Sequence, residues 1–140
     1  MKKYLLLTAM LLPVFSPAQG VLGKWKSVDD QTGKTVAIVE IFERSGKFFG
    51  KIIEVTNPSD KNKTCANCPG DDHGKPIIGL TVIKGLEKDG KEYNNGHILD
   101  PKHGKLYKCY ITLEHQDKLK VRGYIGFSLL GRTQYWHRAK

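Results

Sequence analysis

Short runs of alternating apolar and polar residues, separated by glycine-rich turns, dominate the chain after residue 20. Alternation with a period of two is typical of β-strands with one buried face, and helical spacing is almost absent. The pattern therefore predicts about eight strands. We place them at residues 22–28, 35–42, 47–55, 77–86, 92–99, 105–114, 118–127 and 131–138.

The predicted turns place Gly, Asn or Asp where a positive φ angle costs little. They lie at residues 43–46, 88–90, 94–96 and 100–104. Hairpins this short force neighbouring strands to pair antiparallel. About eight such strands predict an all-β fold, an antiparallel up-and-down β-barrel, with a β-sandwich as the structural alternative.

The N-terminal segment, residues 1–18, has the order of a secretory signal peptide: Lys2 and Lys3, an apolar stretch, and small residues at 16–18. The apolar stretch is shorter than the roughly 20 residues that span a bilayer, so we expect cleavage and no membrane-spanning segment. No cysteine follows the expected cut, so we expect no lipid anchor. The sequence therefore predicts a periplasmic or secreted protein whose residues 19–140 form a single domain.

The formal net charge is +9 at pH 7, and the lysines and arginines that cause it are spread along the sequence. A spread of this kind is typical of the solvated face of a sheet, and it favours solubility and weak attraction to anionic surfaces. Because an exported protein meets little nucleic acid, we expect no nucleic-acid partner.

Residues 56–76 break the strand pattern with a long run rich in Asn, Asp, Lys, Gly and Pro that contains Cys65 and Cys68. Loops this long are uncommon unless they are functional or disordered. In an oxidising compartment, two cysteines so close favour a disulfide that stiffens the loop. The alternatives are a redox pair, which would need a helix beginning at the first cysteine, and a zinc site, which would need further ligands such as His73.

No nucleophile, base and orienting group can be recognised in the sequence, and the five histidines lie apart without metal-binding spacing. Cys109 shares a predicted strand face with Tyr107, Ile111 and Leu113, so we expect a buried and unreactive thiol. The sequence therefore names no catalytic residue, metal ligand or cofactor. Whether the protein is an enzyme stays open, and the residues favour a negative answer.

Trp25 lies at the start of the first predicted strand, and Trp136 and Arg138 lie at the end of the last. In a closed barrel these strands are neighbours, so the Arg138 side chain could stack on the Trp25 indole and seal that end. The alternative is that both tryptophans are ordinary core residues.

Several motifs, taken in order, resemble the family of exported bacterial proteins called domain of unknown function 2147. They are found at residues 23–25, 39–42, 50–52, 65–68, 76–80, 96–101, 104–108, 119–124 and 131–138, and so cover nearly the whole expected mature chain. The resemblance implies no activity. The glycine and tryptophan near the start and the basic residue near the end are also similar, at few positions, to the lipocalin or calycin pattern of ligand-binding barrels.

The leading hypothesis is a non-enzymatic barrel of the cell envelope that binds a small, apolar or amphiphilic molecule. Aromatic side chains would line or cap the interior, and an arginine would orient the polar end of the ligand. The alternative is a protein-interaction module that offers the stapled loop, residues 56–76, to an envelope protein partner. The candidate ligand-binding residues are Trp25, Tyr93, Tyr107, Arg122, Tyr124, Arg132 and Trp136.

Overall fold

The computed structural model describes residues 20–127 and 129–140. Within them, eight strands follow one another around a closed barrel. The strands are β1 (Gly23–Val28), β2 (Thr35–Arg44), β3 (Lys47–Val55), β4 (Thr81–Asp89), β5 (Glu92–Asp100), β6 (Lys105–His115), β7 (Lys118–Tyr124) and β8 (Gly131–Arg138). Two short 3₁₀ helices, Pro58–Asp60 and Gly70–Asp72, lie between β3 and β4. The predicted signal peptide, residues 1–18, lies outside the described residues.

Every strand pairs antiparallel with its neighbour in sequence, and β8 pairs antiparallel with β1 to close the barrel. The predicted all-β fold and the antiparallel up-and-down barrel are therefore confirmed. The closing seam is short, since only Trp25–Arg138 and Lys26–His137 are paired across it, whereas β7 and β8 pair along seven positions. β1 and β8 consequently separate toward the other end of the barrel.

Alternate side chains point inward, as the period of two requires. The inward positions of β6 and β7 pair with each other, as Ile111 does with Val121 and Leu113 with Leu119. These side chains meet the inward residues of β1 to β4 in one apolar core. The largest fully buried side chains include Trp25, Val39, Ile41, Ile83, Leu86, Ile111 and Leu119.

Several predicted strand boundaries shift, and the start of β4 and the end of β7 shift for local reasons. β4 begins at Thr81, because the backbone before it turns, with the Leu80 amide donating to the Ile77 carbonyl at 3.1 Å. β7 ends at Tyr124, where the chain turns back toward β8. The turn predicted at residues 94–96 is wrong: this segment is a bulge within β5, with Asn95 at a φ of 59°.

Candidate functional site

The two ends of the barrel differ in their connections. The turns β2–β3, β4–β5 and β6–β7 are tight and share one end, which we call the closed end. The connections at residues 29–34, 56–80, 101–104 and 125–130 share the other end, which we call the open rim. A site that admits a molecule is to be sought at the open rim, because recognition residues are commonly carried by loops on a rigid scaffold.

Arg138 seals the closed end. Its guanidinium carbon lies 4.2 Å from the centroid of the Trp25 ring. The same guanidinium donates to the carbonyls of Gly20 at 2.8 Å, Leu22 at 3.0 Å and Gln116 at 2.8 Å. Trp25 is fixed in turn, because its Nε1 donates to the Val21 carbonyl at 2.9 Å. The arrangement ties the residues that precede β1 to the end of β8.

Side chains fill the centre of the barrel. Trp25 and Trp136 are buried, and Tyr93 packs edge-on against Phe48 with ring centroids 4.8 Å apart. The space beside Gly50 is equally tight, because a Cβ atom there would lie 3.0 Å from the Val39 side chain and 3.1 Å from that of Ile83. Three of the candidate ligand-binding residues, Trp25, Tyr93 and Trp136, are thus placed in the packed core.

The remaining candidates are divided between the inner and outer surfaces. Tyr107 points inward beside Ile98 and is half-buried. Arg122 and Tyr124 point outward, and Arg122 Nη1 donates to the Thr133 hydroxyl at 2.8 Å. Arg132 is the second residue of β8 and lies at the open rim, with its side chain 79% exposed. The structure therefore does not gather the predicted residues around one cavity.

A shallow, largely open depression of about 410 Å³ lies at the rim where β1 and β8 separate, lined by Asp30, Gln31, Arg132 and Thr133. The Asp30 carboxylate spans the gap between the two strands. It lies 3.6 Å from Arg132 Nη1 and accepts a hydrogen bond from Gln134 Nε2. Sequence reasoning named only Arg132 of these residues, because Asp30 looks like any other loop carboxylate.

The loop that carries Asp30 is held by its neighbour Asp29. The Asp29 carboxylate accepts from the backbone amides of Thr32 and Gln31, at 3.0 and 2.8 Å. These two bonds hold the pKa of Asp29 below its ordinary value. Backbone bonds between Asp29 and Lys34 and between Gly33 and Asp29 close the same loop. The position of Asp30 is therefore set by the backbone, before any ligand arrives.

The stapled loop is docked on the barrel wall. Cys65 and Cys68 form a disulfide, and both cysteines are buried. The Asn67 amide donates to the Lys102 carbonyl at 3.5 Å. A Cβ atom at Gly104 would lie only 1.7 Å from the Asn67 carbonyl oxygen, so the loop and the β5–β6 turn fit closely at this glycine.

Asp72 fastens the far side of the same loop. Its carboxylate pairs with Lys84 of β4 and, at 3.4 Å, with Lys75. Partial burial opposes ionisation, but the bonds from Lys84 and Lys75 outweigh it, so the pKa of Asp72 is lowered. The disulfide and this ion pair together make the loop a fixed surface.

The described residues hold no cluster placed to bind a metal ion, and the free cysteine among them is buried. No group of three or more His, Cys, Asp or Glu side chains in residues 20–127 and 129–140 is placed to hold a metal ion. Burial raises the pKa of the Cys109 thiol to about 12, so it is almost entirely protonated at neutral pH. In the same ranges, no helix has the length and apolarity needed to span a bilayer.

The fold and the open rim define a lipocalin-like β-barrel. A solved structure from Helicobacter pylori, described as a protein that belongs to the lipocalin family, superposes with a TM-score of 0.75. It is 22% identical, over 85% of this chain and 82% of that chain, so the likeness establishes the fold alone. The model of the uncharacterised bacterial proteins called domain of unknown function 2147 matches residues 23–138, and the chain belongs to that family. The search of curated proteins found no match.

Proposed function

We propose that this protein is an exported, non-enzymatic binding protein that holds a small amphiphilic molecule at the open rim of its barrel. One observation carries the proposal: the rim has an open depression of about 410 Å³ beside Arg132, whereas side chains fill the centre. Ligand sites commonly enclose about 300 to 1,000 Å³. The predicted signal peptide supports an envelope or secreted location.

The rim offers hydrogen-bond donors for the polar, anionic end of an amphiphilic ligand. A guanidinium carries five N–H donors, and Arg132 uses one of its nitrogens in a loose contact of 3.6 Å with Asp30. A carboxylate or phosphate on the ligand would therefore find donors on Arg132. The apolar end would lie toward Leu130, which is 68% exposed and precedes Arg132 by two residues.

The test uses dodecanoate as the anionic probe and dodecanol as its neutral match, titrated in lipid-free buffer. Because Arg132 is largely exposed, its bond with an anion contributes about 1 kcal/mol, so Arg132→Ala should weaken dodecanoate binding about fivefold. Dodecanol binding should change little. Arg44→Ala removes an exposed arginine at the closed end and is the matched control. Equal dodecanoate affinities of wild type and Arg132→Ala would refute the rim site.

Native mass spectrometry of protein purified from its own cell envelope tests for a natural ligand. An adduct that is lost on denaturation identifies the ligand class. A clean protein mass, together with no binding of either probe, would reject small-molecule binding.

The alternative proposal, a protein-interaction module, rests on the stapled loop. Most residues of this loop are exposed, and the disulfide and the Asp72–Lys84 pair hold it rigid. A rigid loop loses little entropy on binding. Replacing Cys65 and Cys68 by serine discriminates between the two proposals: a contact loop loses capture of its envelope partner, whereas a rim site keeps its affinity for dodecanoate.

A further inference from the structure

The described residues of the β7–β8 loop, 125–127 and 129–130, expose apolar side chains to an unusual degree. Phe127 is 78% exposed and Leu129 is 89% exposed, and Ile125 and Leu130 are exposed as well. Large exposed apolar patches on a soluble protein mark sites of interaction with a partner or a membrane. Leu106, on the outer face of the neighbouring strand β6, is exposed beside this loop and extends the apolar surface.

The outer face of β6, β7 and β8 below this loop is cationic and aromatic. Strand register places Lys108 opposite Tyr124, Tyr110 opposite Arg122, and Lys120 opposite Tyr135. All six side chains point outward, because their neighbours in each strand occupy the core. We call these six residues the cationic–aromatic face.

Carboxylates are few around this face: Glu114 lies further along β6 toward the closed end, and Asp30 pairs with Arg132 at the rim. No Asp or Glu occurs in residues 101–113 or in residues 118–140. The cations instead rest on aromatic rings, with Lys120 Nζ 5.7 Å from the Tyr110 centroid and Lys118 Nζ 4.6 Å from that of Tyr135. This surface is therefore complementary in charge to an anionic partner.

The order of these groups along the barrel matches the depth profile of a membrane interface. The apolar loop is outermost, and Tyr124 and Lys108 follow at its base. Arg122 and Tyr110 lie two residues further down, at most roughly 7 Å below. Apolar side chains belong in the hydrocarbon, and Tyr, Lys and Arg belong at the headgroup level.

We infer that the protein docks on an anionic lipid bilayer by inserting the β7–β8 loop, with the cationic–aromatic face against the headgroups. A protein partner or a second copy would also cover apolar side chains, but neither explains the graded order from apolar tip to aromatic and cationic base. Docking needs no ligand at the rim, so this proposal and the rim site can fail separately.

The primary test is flotation with vesicles of phosphatidylcholine alone and with roughly one third phosphatidylglycerol. It uses protein exported with its own N-terminal segment, and intact mass establishes where the chain begins. Wild type should bind the anionic vesicles and release them in high salt, which screens surface charge. The double variant Phe127→Ser, Leu129→Ser should bind about tenfold or more weakly. Leu22→Ser, which changes an exposed leucine at the closed end, should bind as wild type does.

Charge is tested separately. Lys108→Gln with Lys120→Gln should reduce binding to anionic vesicles roughly thirtyfold, because each lysine near a charged surface contributes about 1 kcal/mol. Lys88→Gln with Lys91→Gln makes the same change in net charge near the closed end and should have no effect. All variants share one N-terminus, so differences among them report on the barrel alone.

A labelled variant keeps the test valid if the serine variant fails to fold. Cys109 is buried and the other two cysteines are bonded, so Leu129→Cys provides an accessible thiol for a fluorophore. Its emission should shift to the blue with anionic vesicles and be quenched by acyl-chain quenchers. No vesicle binding by wild type, or a label that stays in water while the protein binds, would overturn the inference. A dimer that is lost in the serine variant, without vesicle binding, would assign the loop to a second copy and overturn it equally.

Discussion

Replacing Arg138 by alanine tests whether the closed end depends on one side chain. Arg138 is only 11% exposed, and its guanidinium both covers the Trp25 ring and bonds three backbone carbonyls. Two of these carbonyls, Gly20 and Leu22, precede β1. The substitution therefore removes the link between the residues that precede β1 and the end of β8, and it leaves the strand register unchanged.

The magnitude follows from the contacts. A shielded cation on an indole contributes about 2 kcal/mol. The three carbonyls become partly accessible to water once the side chain is removed, so each lost bond costs about 0.5 kcal/mol, the low end of the usual range. The ion pair with Asp117, at 3.8 Å, adds little because Asp117 is 70% exposed. We expect Arg138→Ala to lower the free energy of unfolding by about 3.5 kcal/mol.

Urea unfolding monitored by tryptophan fluorescence measures this change, since both tryptophans lie in the barrel core. Arg138→Lys keeps the charge but loses the planar fork, so it should recover only part of the loss. Arg132→Ala removes an exposed arginine at the open rim and should change stability by less than about 0.5 kcal/mol. A loss for Arg138→Ala that is no larger than the Arg132→Ala value would refute the reasoning.

Three further predictions concern burial, charge and close packing. Cys109 should resist alkylation at neutral pH until urea unfolds the chain, because burial raises its pKa to about 12; modification of the folded protein, seen by mass, would contradict this. Asp72→Asn should destabilise the protein above pH 3.8, and the urea midpoints of variant and wild type should converge as pH falls through the lowered pKa of the folded state. Gly104→Ala should undock the stapled loop and speed tryptic cleavage there, whereas Gly90→Ala, with a similar positive φ and open space beside it, should not.

The strand pattern predicted the barrel because a period of two survives wherever one face is buried. The same pattern placed the start of β4 too early, at residue 77 instead of Thr81. Ile77 and Leu80 are apolar, so the strand pattern included them. In the structure they are half-buried and buried, respectively, in the connection between β3 and β4. Residues 94–96 were predicted to be a turn but form a bulge, because both structures favour Asn and Gly at positive φ.

The candidate site was less predictable from the sequence. Aromatic residues suggested a lined cavity, but Trp25, Tyr93 and Trp136 are needed as core volume in so small a barrel. Strand parity alone left the inward face of β7 ambiguous, since Arg122 and Tyr124 alternate with Val121. The rim depression depends on Asp30, whose role arises from contacts with residues about a hundred positions away in the sequence.

In the proposed rim site, a residue of the packed core positions one of the polar groups. The buried Trp136 donates from Nε1 to Gln134 Oε1 at 2.8 Å, and Gln134 in turn donates to Asp30. Asp30 is thus held from the interior by Gln134 and from its own loop by the turn at Asp29. A ligand that binds at the rim does not have to order this carboxylate, so less of its binding energy is lost to conformational entropy. The packed core would therefore preorganise the proposed rim site.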